Sequence, residues 1–316
     1  MKKPVFCYGG QAVIEGVMMR GKTSMAVAVR KTPGDILVER WPIKASSGRP
    51  KFLSWPLIRG TVNLVDSLMI GVKTLVFSAN QSLDEGEEEE TLSTMEVAIT
   101  VAISLVLGIG LFFLLPAFLA QSIKAWVSNH ALQNLLEGVV RIVVFLVYIY
   151  SISKMKDIQR VFQYHGAEHK TIFTYEAGEA LTVDNARRQS RLHPRCGTSF
   201  LVLVMVVSIF VFSVLGEMSL LGRLVSRVLL LPVVAGIAYE FIRYAGQHLE
   251  NPLVAAISWP GLQLQRLTTR EPDDSQLEVA IASLKKVLQD DGILTEPETE
   301  VELDTKPLNE GEEINA

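Results

Sequence analysis

The stretch VAITVAISLVLGIGLFFLLPAFLA, residues 97–120, decides the fold class, because it runs for 24 residues without a charged side chain. At about 1.5 Å per residue, a helix of that length exceeds the roughly 30 Å hydrocarbon thickness of a bilayer. Composition agrees: of 316 residues, 49% are hydrophobic, and the mean hydropathy of +0.29 lies on the apolar side, where soluble domains seldom average.

Three more spans are predicted around this one. Residues 135–153 carry Glu137 and Arg141 four apart near their start, as an interfacial ion pair. Residues 199–216 are uncharged throughout, and residues 224–244 hold Arg227 near one end and Glu240 and Arg243 near the other. The chain is thus expected to be mainly α, a polytopic membrane protein with four transmembrane helices and a small β-rich N-terminal cytoplasmic unit. Lys2 and Lys3 are followed by no apolar run before Gly9 and Gly10, so no cleavable signal peptide is expected and the first span acts as the insertion signal.

Lysine and arginine counts set the predicted orientation, since positive loops stay cytoplasmic. The connection 154–198 holds eight and the segment before Met95 twelve, whereas the other two loops hold Lys124, and Arg223 with Arg227. Both termini are expected on the cytoplasmic face of the cell membrane. The formal charge of −4 divides unevenly: from Glu271 onward there are fourteen acids and three lysines, leaving 27 basic and 20 acidic residues before it. Cys7 and Cys196 have no paired spacing, which excludes a disulfide framework.

The remaining segments follow from pattern. Residues 1–50 form a β-rich unit, with runs 25–30 and 36–41 joined by the turn Lys31-Thr-Pro-Gly-Asp35. Residues 51–80 contain an amphipathic helix, interfacial or re-entrant, and 81–95 an acidic linker. Then come the span 96–120, the spans already given, an interfacial segment at 251–270 and an acidic, partly disordered cytoplasmic tail at 271–316, opened by a short amphipathic helix and apart from the chemistry.

The cytoplasmic loop 154–198 carries the chemistry. Its sequence Gln163-Tyr-His-Gly-Ala-Glu-His-Lys170 contains His-x-x-Glu-His. On a helix His165 and His169 share one face, so two imidazoles can hold one divalent metal, zinc first among them, while Glu168 acts as general base on a metal-bound water. A catalytic zinc site needs a third protein ligand. The topology offers Glu240, His193 and Cys196, all at cytoplasmic helix ends, and the choice stays open. Glu15, in the glycine-rich stretch Tyr8 to Gly16, is an additional polar candidate. The alternative is a hydrogen-bonded histidine cluster or a closed structural metal site in a non-enzymatic scaffold or transport component. Arg187, Arg188, Arg191 and Arg195 suit anionic lipid headgroups or serve topology alone.

Gly16-Val-Met-Met-Arg-Gly-Lys-Thr23 matches the phosphate-loop pattern, but a β-prone run follows where a helix is required, so nucleotide hydrolysis is not the expected activity. No interleaving of aromatic and basic residues points to nucleic acid.

Three long motifs, Gly9 to Gly21, Tyr164 to Lys170 and Arg191 to Phe200, together resemble the bacterial YqhQ-like family of membrane proteins, a domain of unknown function described as predicted metal-dependent enzymes. The resemblance runs to about Arg270 and implies that the three motifs form one functional unit. The expected partner is the lipid bilayer, with a membrane-embedded or lipid substrate for a metal-dependent hydrolase. Metal, substrate and oligomeric state stay open.

Overall fold

The computed structural model describes residues 8–31, 34–43, 50–82, 93–124, 127, 129–216, 220–246 and 248–294. Cys7, most of the acidic linker and the end of the tail lie outside them.

The N-terminal unit is a four-stranded antiparallel meander: β1 (Gly9–Val13), β2 (Gly16–Arg20), β3 (Ser24–Arg30) and β4 (Ile36–Pro42), paired in chain order. A two-residue turn joins β1 to β2, with Glu15 at φ 50°, and Val13 faces Gly16 across it. Because side chains alternate between faces, Val17, Met19, Ala26 and Ala28 line one side, and Met18, Met25, Val27 and Val29 the other. Both sides are buried, so β2 and β3 read as nearly continuous apolar runs rather than alternating ones.

Helices close both faces. On the first lie α5 (Lys156–Glu176) and α10 (Asp274–Asp290). Helix α10 starts with an Asp273 capping box and buries Leu277, Leu284, Val287 and Leu288 completely. Each contributes about 1.5–3 kcal/mol of apolar burial. The short amphipathic helix expected to open the tail is α10, and its apolar face is core rather than a surface apart from the fold. Asp291, just beyond it, accepts from the Lys22 and Thr23 amides, the Thr23 hydroxyl and the Tyr8 hydroxyl. The phosphate-loop string therefore lies on β2 and its turn, leads into strand β3, and holds a carboxylate of its own chain.

The second face is covered by α1 (Ile58–Gln81), whose Ile70 and Phe77 pack on the sheet, Phe77 edge-on to Trp41 at 5.4 Å. Its N-terminal half docks on α8 (Leu220–Ala245), where Gly60 abuts Gly236 and Tyr239 and the Thr61 hydroxyl donates to the Pro232 carbonyl. Helix α1 buries Gly60, Gly71, Thr74 and Ser78 and turns Val65, Leu68, Met69, Val72 and Leu75 outward.

Among the described residues, four helices are long and apolar enough to cross a membrane: Ile58–Gln81, Met95–Ala120, Leu132–Ile152 and Val225–Ala245. The number matches the expectation, but the membership does not. The expected span 199–216 is the shorter helix α7 (Gly197–Ser213), and α1 joins the long set. The first span consists of α2 (Thr94–Ile109), a π-helical turn at Gly110–Leu114 and α3 (Leu115–Lys124). The π turn offers the Phe112 carbonyl to Arg141 of α4 (His130–Ile152) at 3.1 Å. Glu137, expected at the interface, is 2% exposed and pairs with both Arg141 and Arg227, which are themselves buried inside the bundle. The expected interfacial segment is helix α9 (Pro252–Thr268), started by the Asn251 cap and Pro252, with Gly261 against Ser199 of α7.

Candidate metal centre

Four elements meet between the sheet unit and the bundle. Helix α5 projects His165, Glu168 and His169, and the loop 189–196 brings in His193 and Arg195 after the short helix α6 (Val183–Arg188). Cys196 is the N-cap of α7, and β1 supplies Gly10 and Gln11. They enclose a cavity of about 490 Å³, whose apolar wall includes Phe162, Ile172 and Leu201.

His165, His169 and Cys196 each offer a ligand atom, and these atoms all lie within 4.8 Å of one another. The orientation of the rings has a specific cause. His165 Nδ1 donates to the Thr268 carbonyl at the end of α9 (2.8 Å), and His169 Nδ1 donates to the Arg191 carbonyl (2.6 Å). A ring nitrogen bonded to a carbonyl must carry the proton, so in the neutral form of each imidazole Nε2 is the nitrogen with the free lone pair. His165 Nε2 lies 3.2 Å from Cys196 Sγ. Backbone carbonyls that fix the tautomer in this way are the usual outer support of histidine metal ligands.

Glu168 is buried beneath the cavity, where a Cβ on Gly10 would stand 3.1 Å from its Cγ. Burial raises its carboxyl above the ordinary range, against the opposing pull of His165 and the Gly10 amide. His193 stands one layer back, its ring centre 5.5 Å from that of His169. Gln265 grips its backbone on both sides, accepting from the His193 amide and donating to its carbonyl, each at 2.7 Å. The His193 Nε2 lies 3.6 Å from Glu176, which also pairs with Arg195. Burial lowers the His193 pKa despite Glu176; burial raises that of Glu176, but His193 and Arg195 hold it below the usual range.

Two sequence candidates have other partners. Glu240 pairs with Arg59 of α1 and approaches the Leu57 amide at 3.4 Å, engaged with α1 rather than with the cluster. Glu15 pairs with Arg160 and accepts from the Tyr164 hydroxyl, which ties the β1–β2 turn to α5. Sequence reasoning missed Glu176 and Gln265. Glu176 follows His169 by seven residues, the spacing of one helix face, and that signal was available; Gln265 had none.

A family model described as "Protein of unknown function (DUF1385)" matches residues 55–290. The chain belongs to the DUF1385 family. The matched region contains His165, Glu168, His169, His193 and Cys196, whereas Gly10 and Gln11 precede it. The chain is also similar to the Bacillus subtilis (strain 168) "Uncharacterized protein YqhQ", 37% identical over 293 residues that cover 89% of this chain and 92% of that one. No solved structure matches this DUF1385 chain.

Proposed function

We propose that this DUF1385 protein is a metal-dependent hydrolase of the cytoplasmic membrane face, with zinc held by His165, His169 and Cys196. The observation that carries the reading is the pair of carbonyl-fixed imidazoles grouped with one thiol beside a cavity. Two nitrogens and one sulfur fit zinc, and three protein ligands leave the fourth position to water or substrate. A divalent cation held there supplies Lewis acidity and a more acidic bound water. Glu168, a buried carboxyl whose pKa is raised, takes and returns the proton. The apolar wall suits a membrane-protein segment or a lipid as substrate.

The orientation reading is that the sheet unit, α5, α9 and α10 are cytoplasmic, with both termini on that side. The four crossings are α2–α3, α4, α8 and the shorter, 17-residue α7, which takes the place that length alone would give to α1. Helix α1 lies along the membrane surface, because its C-terminal half covers the sheet while its apolar stripe faces outward.

A second reading rests on the same 3.2 Å contact between Cys196 Sγ and His165 Nε2, which has the geometry of a thiol nucleophile and its base. Elemental analysis of the detergent-solubilised protein separates them. Metal near one equivalent per chain, lost in His165→Ala/His169→Ala and kept in Glu168→Gln, supports the hydrolase. Metal-free, well-folded protein whose Cys196 is alkylated by iodoacetamide, more slowly after His165→Ala, supports the thiol.

A further inference from the structure

A second cavity, of about 470 Å³, opens where α4 ends, with Tyr150, Lys154, Arg191, Arg266, Arg270 and Glu271 in its wall. Its charge is unbalanced. Glu271 is the one carboxylate of this wall, and it is already met by Lys170 and lies 3.8 Å from Arg191. Among the described residues, no carboxylate pairs with Lys154, Arg266 or Arg270. Arg270 donates to the Ser153 carbonyl at 2.9 Å, which fixes its guanidinium at the rim, and Lys154 lies over the Tyr150 ring at 4.7 Å. Three cations without a counter-ion, gathered in a concavity, call for an anion with several acceptor oxygens.

The location says which anion. The pocket begins at the last turn of the candidate span Leu132–Ile152, the depth at which headgroup phosphates lie. Val139, Val143, Val147 and Tyr150 recur on one face of α4, all outward and from 46% to 60% exposed, and they form an apolar track leading up to the pocket. A soluble phosphate has no use for such a track; an acyl chain does. We infer that this pocket binds the phosphate headgroup of an anionic phospholipid, with its acyl chains along α4. The inference rests on the bundle lying in a bilayer and is independent of any metal at the histidines.

The test uses the full chain in phosphatidylcholine nanodiscs titrated with phosphatidylglycerol, read by native mass spectrometry and thermal unfolding. Wild type should retain phosphatidylglycerol in preference to phosphatidylcholine. Lys154→Gln/Arg266→Gln, both exposed side chains, should weaken that retention by roughly fivefold per charge, the equivalent of about 1 kcal/mol each. Lys22→Gln/Lys285→Gln, which removes equal charge outside the pocket, should leave it unchanged. Equal retention by the pocket variant and wild type, or equal affinity for the two lipids, overturns the inference. So does stabilisation by inorganic phosphate alone matching that by the lipid, which would make the occupant a soluble phosphate. Metal content measured on the same samples keeps a failure here separate from a failure of the hydrolase reading.

Discussion

Two buried polar clusters in this molecule differ in where their bonding capacity is directed. In the bundle, Glu137, Arg141 and Arg227 turn toward one another, with the Phe112 carbonyl taking a further guanidinium hydrogen. Beside the sheet unit, backbone carbonyls take one nitrogen of His165 and of His169 and leave the other toward a cavity. Both clusters are ionisable and buried, so burial alone does not distinguish a site from a strut. What distinguishes them is whether the protein consumes all the valences or presents some of them.

The comparison can be broken in three ways. The largest effect is expected at Glu137: Glu137→Ala leaves two buried guanidinium groups without their carboxylate and should cost about 3–5 kcal/mol of stability. Thermal unfolding in detergent reads this, and metal per folded chain should not change; a metal loss without instability would move the bundle cluster from strut to site. The intermediate effect is at Gln265. Gln265→Ala unties the loop that carries the Arg191 carbonyl, and as an outer-shell change it should weaken metal retention by about 10–100-fold. Retention at the wild-type level in a chelator titration would mean that the imidazoles hold their positions without that loop.

The smallest effect concerns the carboxylate that closes the sheet unit. Burial raises the Asp291 pKa, but hydrogen bonds from Thr23, Lys22 and Tyr8 bring it below the usual value. A folded pKa depressed in this way contributes stability above the unfolded value of about 4 and loses it as pH falls through the folded one. Asp291→Asn should therefore cost about 1–2 kcal/mol at neutral pH, and the gap from wild type should close in acid. A gap independent of pH in thermal melts would show that shape, rather than charge, holds the Lys22 turn.

Much of this was legible in the sequence where the signal is local. The His165–His169 pair is visible from its spacing, and the β3–β4 hairpin from its apolar runs and the Pro-Gly turn. Strands β1 and β2 were harder, because Gly9, Gly10 and Gly16 read as a loop. Two of these glycines are needed for contact: a Cβ at Gly10 would lie 2.4 Å from the Met18 carbonyl oxygen, and one at Gly16 2.2 Å from that of Ala28. The partners of Glu240 and Glu15 are 181 and 145 residues away, beyond any periodicity. The carbonyls of Thr268 and Arg191 have no side-chain signature, since any residue there supplies the same acceptor. The role of α10 was concealed because its core face includes Gln276 and Ser283, polar residues that are fully buried.

The Ser283 hydroxyl of α10 donates to the Ala26 carbonyl, which lies 257 residues earlier in the chain. At ribosomal rates of about 5–20 residues per second, that interval lasts roughly 13–50 s. Over that interval α5 reaches this face of the sheet first, and the part that α10 covers stays open until the end. The sheet unit is thus closed by the two ends of the described chain, and it reaches its final packing only after every helix between them has been made.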